Sequence, residues 1–293
     1  MELRDIELFL TLAEELHFGR TAERLHVSVS RVSQAIRSQE IEIGAPLFRR
    51  TSRKVELTPV GELLRAGLRP AYDGIRRSIS DARDLAGHSA DILTIGTMGA
   101  QRVELDPILE AYRSAHPFSE LRFREVFFSD PFGGLRRHEV DLVTAWLPIA
   151  EPDLAVGCVL REEPLRLLVS DQHPLASRSS VSLEDLADWA LPATATTAPE
   201  SWLSAVAPLR TPSGRPVPRR HEVATYPEIL AVVASGDVVS TVPDEGRRYY
   251  SWPGVTYLPI HDAEPVRWAL IRRRERMTPV MRAFLDLAAR ART

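Results

Sequence analysis

Residues 21–40 read TAERLHVSVSRVSQAIRSQE, and their pattern indicates the fold of the N-terminal part of the chain. Its apolar spacing predicts one short helix over residues 20–26 and a second helix over residues 29–43. Ser28 offers a hydroxyl that can cap the start of the second helix, and Gly44 ends that helix. Two helices with so short a joint predict a helix-turn-helix whose second helix begins with short, hydrogen-bonding side chains.

The segments on either side complete a three-helix unit with a wing. Apolar residues recur every three or four positions over residues 5–16 and predict a first helix. Its inward stripe is expected to comprise Ile6, Phe9, Leu12, Ala13 and Leu16, and that of the helix over 29–43 to comprise Val32, Ile36 and Ile43. The stretch PLFRRTSRKVELTP alternates around a basic tip at residues 51–54 and predicts two strands. In a winged helix-turn-helix, the second helix of the pair enters the DNA major groove.

The charge distribution agrees with a nucleic-acid partner for this region alone. The whole chain has a net charge of −3, but residues 20–54 hold eight basic side chains against three acidic ones, Glu23, Glu40 and Glu42. The basic residues are Arg20, Arg24, Arg31, Arg37, Arg49, Arg50, Arg53 and Lys54. Such a local excess is typical of a surface that meets phosphates. A solvated basic face is the alternative interpretation.

Length and composition bound the remaining possibilities. A chain of 293 residues is too long for one typical core and fits two or three compact units. A single cysteine, Cys158, excludes an internal disulfide and a cysteine-based metal site. The N-terminus MELRDIELFL mixes acids with apolar residues and does not look like a signal peptide, and no apolar run is long enough for a membrane helix. We therefore expect a cytoplasmic protein.

A long helix is predicted after the wing. Thr58 and Pro59 form a typical helix start, with a capping hydroxyl followed by proline at the first helical position. The narrow apolar stripe that follows consists of Leu64, Leu68, Tyr72, Ile75, Ile79, Ala82 and Leu85. Such a stripe on a lone helix is under-buried, and the same helix of a second chain would cover it. Packing on its own domain is the alternative. Residues 87–89 end the helix as a hinge.

Beyond residue 91, predicted strands alternate with predicted helices, which indicates a parallel α/β sheet. The predicted strands are ILTIG, LRFREVFF, VDLVTAWL, PLRLLVS, DVVSTVP and VRWALIRR. The predicted helices cover residues 104–116, 131–138, 181–189, 227–235 and 279–290. A long region rich in proline, threonine and serine at 194–218 is expected to form a functional rim or a loop with a short helix at 200–207.

The order and spacing of these elements resemble LysR-type transcriptional regulators along essentially the whole chain. The N-terminal motifs that carry the resemblance are AERLHVS, S-x-x-I-R, IG-x-PLF-x-R and LTP-x-G, and the C-terminal ones are DQHPLA, LEDLADW and ILAVVASGDVVSTVP. The resemblance implies an α+β multidomain fold. It comprises a winged helix-turn-helix at 1–58, a dimerisation linker helix at 59–87 and a two-lobed α/β effector domain at 88–293, like the type 2 periplasmic binding proteins. We place subdomain I at about 91–161 with 266–293, and subdomain II at about 162–265.

The resemblance also implies partners. It indicates a DNA-binding transcription factor that forms a homodimer or homotetramer, binds a small-molecule effector between the lobes, and contacts RNA polymerase if it activates transcription. No cofactor and no metal are expected. The chain departs from the family's usual pattern at Val29 and Ser30, where Gln-Pro is common, at Gln34, where arginine is common, and at Gln39, where a core leucine is common. A buried Gln39 needs a backbone partner, or else it turns to the surface.

The candidate DNA-binding residues are those with hydrogen-bonding or basic side chains on the second helix and the wing. They are Ser28, Ser30, Arg31, Ser33, Gln34 and Arg37 on the helix, and Arg50, Arg53 and Lys54 on the wing. Gln34 can pair with adenine, and Arg31 or Arg37 with guanine or a phosphate. The wing residues are expected to neutralise phosphates, and a surface salt bridge is the alternative role for any one arginine.

Effector-binding residues are expected at the carboxyl ends of the predicted strands, where open α/β sheets bind their ligands. The candidates are Thr97, Met98, Gly99, Gln101, Ser129, Asp130, Trp146, Thr194, Thr196, Thr225 and Tyr226. Polar groups beside helix starts favour a small carboxylate or another anion, although Asp130 argues against one. Phe127, Phe128, Trp146 and Tyr226 could form apolar walls, or could simply belong to the core.

Two other classes are alternatives to a regulator: an α/β enzyme, or a cytoplasmic small-molecule-binding protein, with an incidental helix-turn-helix. None of the eight histidines has a metal-type partner at helical spacing, and the chain has no Gly-x-Ser-x-Gly elbow, phosphate loop or dinucleotide fingerprint. A solute-binding protein would share the two lobes, but the N-terminal winged helix argues against it. The sequence therefore predicts a regulator and not an enzyme.

Overall fold

The computed structural model describes residues 1–50, 54–85, 92–194 and 197–291. The chain divides into two compact units, residues 1–88 and residues 89–293, and each is described by itself. Within the described ranges, no helix combines the length and the apolar character that crossing a membrane requires.

The N-terminal unit begins with three helices, α1 (Leu3–Glu15), α2 (Phe18–Arg24) and α3 (Val29–Ile43). The Ser28 side chain accepts a hydrogen bond from the backbone N–H of Arg31 at 3.2 Å, and Gly44 closes α3 in the left-handed conformation, as predicted. The core between the helices includes Leu8, Phe9, Leu12, Val32, Ile36 and Leu47.

Two predicted core positions are wrong. Leu16 and Ile43 are each 40% exposed, because each stands where its helix ends. Leu16 follows α1 in a left-handed conformation, which turns its side chain away from the stripe. Ile43 is the last residue of α3 and extends beyond the core that α1 covers. Sequence periodicity alone does not show where the neighbouring helix ends, so it also assigns end residues such as these to the core.

The Gln39 side chain is buried and has a backbone partner. It is 2% exposed, and its Nε2 donates a hydrogen bond to the carbonyl oxygen of Asp5 in α1 at 2.6 Å. This bond joins α3 to α1 at a position where an apolar side chain would pack without one. Of the two alternatives that the sequence left open, the buried and bonded one is confirmed.

The wing and the long helix follow. Strands β1 (Phe48–Arg50) and β2 (Val55–Leu57) pair antiparallel, and the Glu40 carboxylate accepts the backbone N–H groups of Leu47 and Phe48 at the base of the wing. Helix α4 (Pro59–Leu85) starts at Thr58, whose hydroxyl accepts the N–H of Gly61 at 3.0 Å.

The apolar stripe of α4 is only partly covered within this unit. Leu64 and Leu68 pack against the helix-turn-helix core, and Tyr72 is 8% exposed. Further along, Ile75 and Ile79 are each 44% exposed, and Ala82 is exposed as well. The Leu85 side chain and residues 87–89 lie outside the described residues.

The C-terminal unit contains ten strands and seven α-helices among its described residues. In chain order they are β3 (Ile92–Met98), α5 (Gln101–Glu104), α6 (Asp106–Ala115), β4 (Glu120–Val126), α7 (Gly133–Arg136), β5 (Leu142–Trp146), β6 (Leu154–Glu163), β7 (Leu165–Ser170), β8 (Leu191–Thr194), α8 (Glu200–Leu203), β9 (Arg219–Val223), α9 (Tyr226–Ala234), β10 (Ser240–Pro243), α10 (Glu245–Tyr249), β11 (Val255–Pro259), β12 (Val266–Arg273) and α11 (Pro279–Arg290). Two 3-10 helices lie at Pro174–Ser177 and Leu183–Asp188.

These strands form one five-stranded sheet in the order β4-β3-β5-β12-β6, one three-stranded sheet in the order β10-β7-β11, and the pair β8-β9. The predicted parallel sheet is correct for β3, β4 and β5. It is wrong for β12, which runs antiparallel between β5 and β6, and for the three-stranded sheet, which is antiparallel throughout. Local patterns do not report strand direction, because direction depends on where the chain returns.

Several elements differ from the prediction in extent. The helix expected at 131–138 is only the single turn of α7, which contains the pair Gly133-Gly134. The helix expected at 104–116 is α6, which has a proline in its first turn, and the separate single turn of α5 precedes it. The helix expected at 181–189 is a 3-10 helix. Strands β6, β8, β9 and β11 and helix α10 were not predicted.

One apolar core joins the five-stranded sheet to the three-stranded sheet. Val143, Ala145 and Ile271 of the first sheet belong to the same buried cluster as Leu167 and Val169 of the second. The outer face of the five-stranded sheet is covered by α6 and α11, where Tyr112 and Phe284 meet edge to face with 5.3 Å between ring centroids. The two lobes of this unit therefore meet in a continuous packed interior.

Candidate DNA-binding helix and effector cavity

The second helix of the helix-turn-helix presents a polar face to solvent. Ser30, Ser33, Gln34 and Arg37 are spaced three, four and seven residues apart, so they lie along one side of α3. Ser30, Gln34 and Arg37 are exposed, and Ser33 is half-buried. Val32 and Ile36 occupy the opposite, buried side. The structure thus brings four of the six predicted helix residues onto one accessible surface.

The other two helix residues have local partners. The Ser28 hydroxyl caps α3 and lies 2.8 Å from the Ser30 hydroxyl. The Arg31 guanidinium leans on α1, where its Nη2 lies 3.2 Å from the Asp5 carboxylate, with both side chains accessible to solvent. An exposed ion pair of this kind contributes at most about 1 kcal/mol, so a phosphate can displace it.

Of the three predicted wing residues, Lys54 is the one whose side chain lies within the described residues. Lys54 is exposed, and its Nζ lies 2.6 Å from the Glu56 carboxylate. The hydrogen bond and the charge of Lys54 lower the pKa of Glu56 below its usual value. Arg53 and the side chain of Arg50 lie outside the described residues.

A cavity of about 820 Å³, including its mouth, opens between the two sheets of the C-terminal unit. Its walls come from the ends of β3, β5 and β12 on one side and from β8, β9, β10, α9 and α10 on the other. Most of the lining is apolar. The lining residues are Met98, Gly99, Phe128, Trp146, Leu191, Pro192, Thr194, Leu203, Val206, Ala207, Arg219, Val223, Tyr226, Ile229, Ser240, Thr241, Val242, Pro243, Glu245, Gly246, Tyr250 and Trp268.

Five of the eleven predicted effector residues line this cavity, namely Met98, Gly99, Trp146, Thr194 and Tyr226. Gly99 has a φ of +54°, and a Cβ there would lie 2.9 Å from the Tyr250 hydroxyl, so the wall needs glycine at this position. Phe128 also lines the cavity, whereas Phe127 is 45% exposed and does not.

The other predicted residues have structural partners outside the wall. Thr97 and Gln101 are buried, and the Gln101 Oε1 accepts a hydrogen bond from Arg161 at 2.9 Å. Ser129 accepts the backbone N–H of Thr197 at 3.0 Å through its carbonyl oxygen. Thr196 lies outside the described residues.

Two helix starts that favoured an anion already hold carboxylates of the chain itself. The Asp130 carboxylate accepts the N–H of Gly133 at the start of α7. At the start of α9, Thr225 and Glu228 form a reciprocal capping box in which Glu228 accepts the N–H groups of Ala224 and Thr225. These donors are therefore occupied without any ligand.

Two tryptophans hold the lobes together beside the cavity. The indoles of Trp146 on β5 and Trp202 on α8 stack with centroids 3.9 Å apart and planes 6° apart. Each indole N–H donates to the other residue's backbone carbonyl oxygen, at 2.9 Å and 2.8 Å. Trp268 contacts the edge of Trp146 at 5.5 Å. Trp146 thus serves as core and as cavity wall at once.

A charged cluster lies behind the cavity wall, formed by Glu104, Glu163 and Glu245 with Arg161 and Arg248. Glu245 lines the cavity and lies 3.0 Å from Arg161 Nη2. Burial, together with the nearby charge of Glu163, raises the pKa of Glu245 from 4.5 to about 7. The cluster joins β6 to α10 and therefore connects the two lobes.

Among the described residues of the wall, Arg219 is the other charged one. Its guanidinium donates to the backbone carbonyl oxygens of Pro192, Ala207 and Pro208 at 3.3, 2.7 and 2.9 Å. Burial lowers its pKa from the usual value. These bonds hold the loop after α8 against strands β8 and β9.

The wall residues that the sequence did not predict come from two sources: some, such as Ile229, Thr241 and Trp268, lie on predicted elements, and others lie on elements that were not predicted. Arg219 and Val223 belong to β9, and Glu245, Gly246 and Tyr250 belong to α10 or follow it directly. One signal for α10 was available: the predicted strand DVVSTVP is followed directly by the acids Asp244 and Glu245, and acids are common where a helix begins. No strand pattern marks β9, which directly follows the proline-rich region at 194–218.

Comparison with known proteins identifies the family. The family described as "LysR substrate binding domain" matches residues 86–292, and the family described as "Bacterial regulatory helix-turn-helix protein, lysR family" matches residues 3–62. The chain belongs to the LysR family. The LysR regulators that it resembles include AlsR of Bacillus subtilis, which is 29% identical over 98% of this chain and 95% of its own length. IlvY of Escherichia coli is 34% identical over 64% of this chain and 63% of its own length.

Solved LysR-type structures show the same fold. CbnR superposes with a TM-score of 0.58 at 21% identity over the full length of both chains. Full-length BenM superposes with a TM-score of 0.55 at 23% identity, covering 99% of this chain and 96% of that one. The predicted fold class and the predicted transcriptional role are confirmed, and these relatives are regulators and not enzymes.

Proposed function

We propose that this LysR-type regulator reads its operator through the polar face of α3. Ser30, Ser33, Gln34 and Arg37 would meet base edges and phosphates in the major groove, and Ser28 would present the helix start to a phosphate. Arg31 would exchange Asp5 for a phosphate, and Arg50, Arg53 and Lys54 would neutralise phosphates beside the wing. The observation that carries this proposal is the exposed alignment of the four α3 side chains opposite a buried core.

Gln34→Ala tests the base-reading role by fluorescence anisotropy with a fragment of the gene's own upstream region and with random DNA. We expect a loss of about 1–3 kcal/mol on the operator fragment and little loss on random DNA, because a bidentate contact to adenine is specific. Gln172→Ala, which changes an exposed glutamine of the C-terminal unit, is the matched control. Equal losses on both DNAs would remove Gln34 from base reading.

Arg53→Ala tests the wing. Loss of a phosphate contact weakens binding to all sequences alike and lowers the slope of log K against log salt by about 1. An effect confined to the operator sequence would contradict a phosphate role. Measurements over a range of salt concentrations separate the two outcomes.

We further propose that α4 pairs with α4 of a second copy, so that two reading helices meet half-sites about one DNA turn or a multiple apart. The half-exposed Ile75 and Ile79 support this pairing. The double variant Ile75→Glu with Ile79→Glu should shift the mass measured by light scattering toward the monomer. Leu63→Glu, on a residue that is 77% exposed and outside the stripe, is the control. An unchanged mass for the double variant would place the dimer contact elsewhere.

Finally, we propose that the cavity between the lobes receives the small-molecule effector in the cytoplasm and that its occupancy changes DNA binding. Its position between two lobes that share a core and a charged cluster supports this role. Assembly into a tetramer of dimers, and contact with RNA polymerase if the protein activates transcription, belong to the same proposal. Operator binding measured with and without a cavity ligand tests the coupling, and a ligand that saturates the cavity without changing affinity for DNA would refute it.

A further inference from the structure

The wall of the cavity offers an apolar surface with one unsatisfied polar atom. Five aromatic rings line it, and Trp146, Trp268 and Tyr226 are among them. Thr241, which is 3% exposed, also lines the cavity, and its hydroxyl oxygen has no hydrogen-bond partner among the described residues. Buried hydroxyl groups nearly always have a partner, so this atom indicates where a ligand group would bind.

The charges in and behind the wall disfavour an anion. Arg219 is held by three backbone carbonyl oxygens, so its guanidinium is already largely satisfied. The other charged group in the wall is the Glu245 carboxyl. Behind it, three carboxylates share the guanidinium groups of Arg161 and Arg248, so that cluster carries no spare positive charge.

A carboxylate ligand would therefore lose its hydration and gain only the guanidinium of Arg219, whose N–H groups already donate to three backbone carbonyl oxygens, while the Glu245 carboxyl lies in the same wall. That loss costs several kcal/mol when no partner replaces the water. The helix starts that favoured an anion from the sequence are closed by Asp130 and Glu228. An uncharged ring loses little hydration and gains contact with the aromatic walls.

We propose, on the basis of the effector role assigned to this cavity, that its ligand is an uncharged, flat and largely apolar molecule with a hydroxyl group that bonds the Thr241 hydroxyl. A neutral aromatic alcohol has this chemistry. The ligand class thus differs from the small carboxylate that the sequence favoured.

Isothermal titration calorimetry on the full chain tests the ligand class with matched probes, 2-naphthol against 2-naphthoate and benzyl alcohol against benzoate. We expect each neutral probe to bind at least about tenfold more tightly than its carboxylate, because only the carboxylate must be desolvated as an ion. Thr241→Val keeps the shape of the side chain and should weaken the neutral probes by about three- to tenfold. Thr256→Val is the control, since Thr256 lies outside the wall and bonds Asp171.

Ala207→Phe places a ring in the cavity and tests the site itself. This variant should abolish probe binding while circular dichroism and the thermal midpoint show a folded protein. If Ala207→Phe does not fold, Thr241→Val is the decisive variant. If the carboxylates bind more tightly than the alcohols, and Ala207→Phe abolishes their binding, the proposed ligand class is wrong but the effector cavity is supported. Binding that Ala207→Phe leaves unchanged, or no saturable binding by any probe, would overturn both.

Discussion

The stacked pair of Trp146 and Trp202 allows the contact between the lobes to be measured. Trp202 is completely buried, stacks on Trp146 with 3.9 Å between ring centroids, and donates its indole N–H to the Trp146 carbonyl oxygen. Trp202→Phe keeps a ring in the same place but removes the N–H donor and part of the stacked surface. Trp202→Ala removes the ring entirely.

The expected losses follow from those contacts. For Trp202→Phe, the hydrogen bond contributes about 0.5–1.5 kcal/mol and the aromatic contact about as much again, so we expect a loss of about 2 kcal/mol in the free energy of unfolding. For Trp202→Ala, the emptied space brings the loss to about 4–5 kcal/mol. In a unit that spans residues 89–293, about 2 kcal/mol corresponds to a midpoint shift of about 4–8 °C.

Thermal unfolding of the full chain, followed by near-ultraviolet circular dichroism, measures these losses. Parallel indoles in contact have a strong near-ultraviolet signal, and we expect Trp202→Phe to lose it together with the thermal stability. Trp252→Phe is the matched control, because Trp252 is 39% exposed, and the change should cost less than about 0.5 kcal/mol.

Equal losses of signal and stability in Trp202→Phe and Trp252→Phe would contradict this prediction. Such a result would mean that the indoles do not stack in solution and that the two lobes are held by other parts of the shared core. A signal that is lost without any change in stability would show that the stack forms but contributes nothing to the contact between the lobes.

Three further predictions concern buried or paired polar groups. Gln39→Leu should leave thermal stability unchanged or raise it by about 1 kcal/mol, because Gln39 Oε1 is buried without a partner among the described residues; a loss above about 1 kcal/mol would contradict this. Because burial raises the pKa of Glu245 from 4.5 to about 7, the folded form binds a proton more tightly, so the contribution of Glu245 to stability is most favourable below about pH 4.5 and falls until about pH 7. This fall, at most about 3 kcal/mol, should disappear from thermal midpoints of Glu245→Gln, and an identical pH profile would exclude Glu245 as its source. Arg31→Ala should cost less than about 1 kcal/mol of stability while it weakens DNA binding, and the reverse order of effects would make Arg31 purely structural.

Local chemistry in the sequence was sufficient for the N-terminal unit. The cap at Ser28, the stop at Gly44 and the start at Pro59 each depend on residues within one helical turn, and all three are as predicted. The polar face of α3 follows from the same spacing. Leu16 and Ile43 were misplaced because burial at a helix end depends on how far the neighbouring helix extends.

The effector cavity was only partly predictable. Met98, Gly99 and Trp146 lie at the ends of β3 and β5, two strands that the alternation of strands and helices locates. Arg219 and Glu245 were missed because β9 and α10 are short and are held by distant partners, β8 for the strand and Glu163 for the helix. The ligand class inferred from the helix starts also changed once Asp130 and Glu228 were found to occupy them.

Residue spacing and side chains a few positions apart were enough to predict the elements of the N-terminal unit, the reading helix with its caps, and the family. Only the tertiary structure decided the direction of β12, the bond that buries Gln39, the Trp146–Trp202 contact and the charge of the cavity wall. Each of these joins residues that are more than thirty positions apart in the chain. Their partners are chosen by how the chain returns on itself, which no local pattern records.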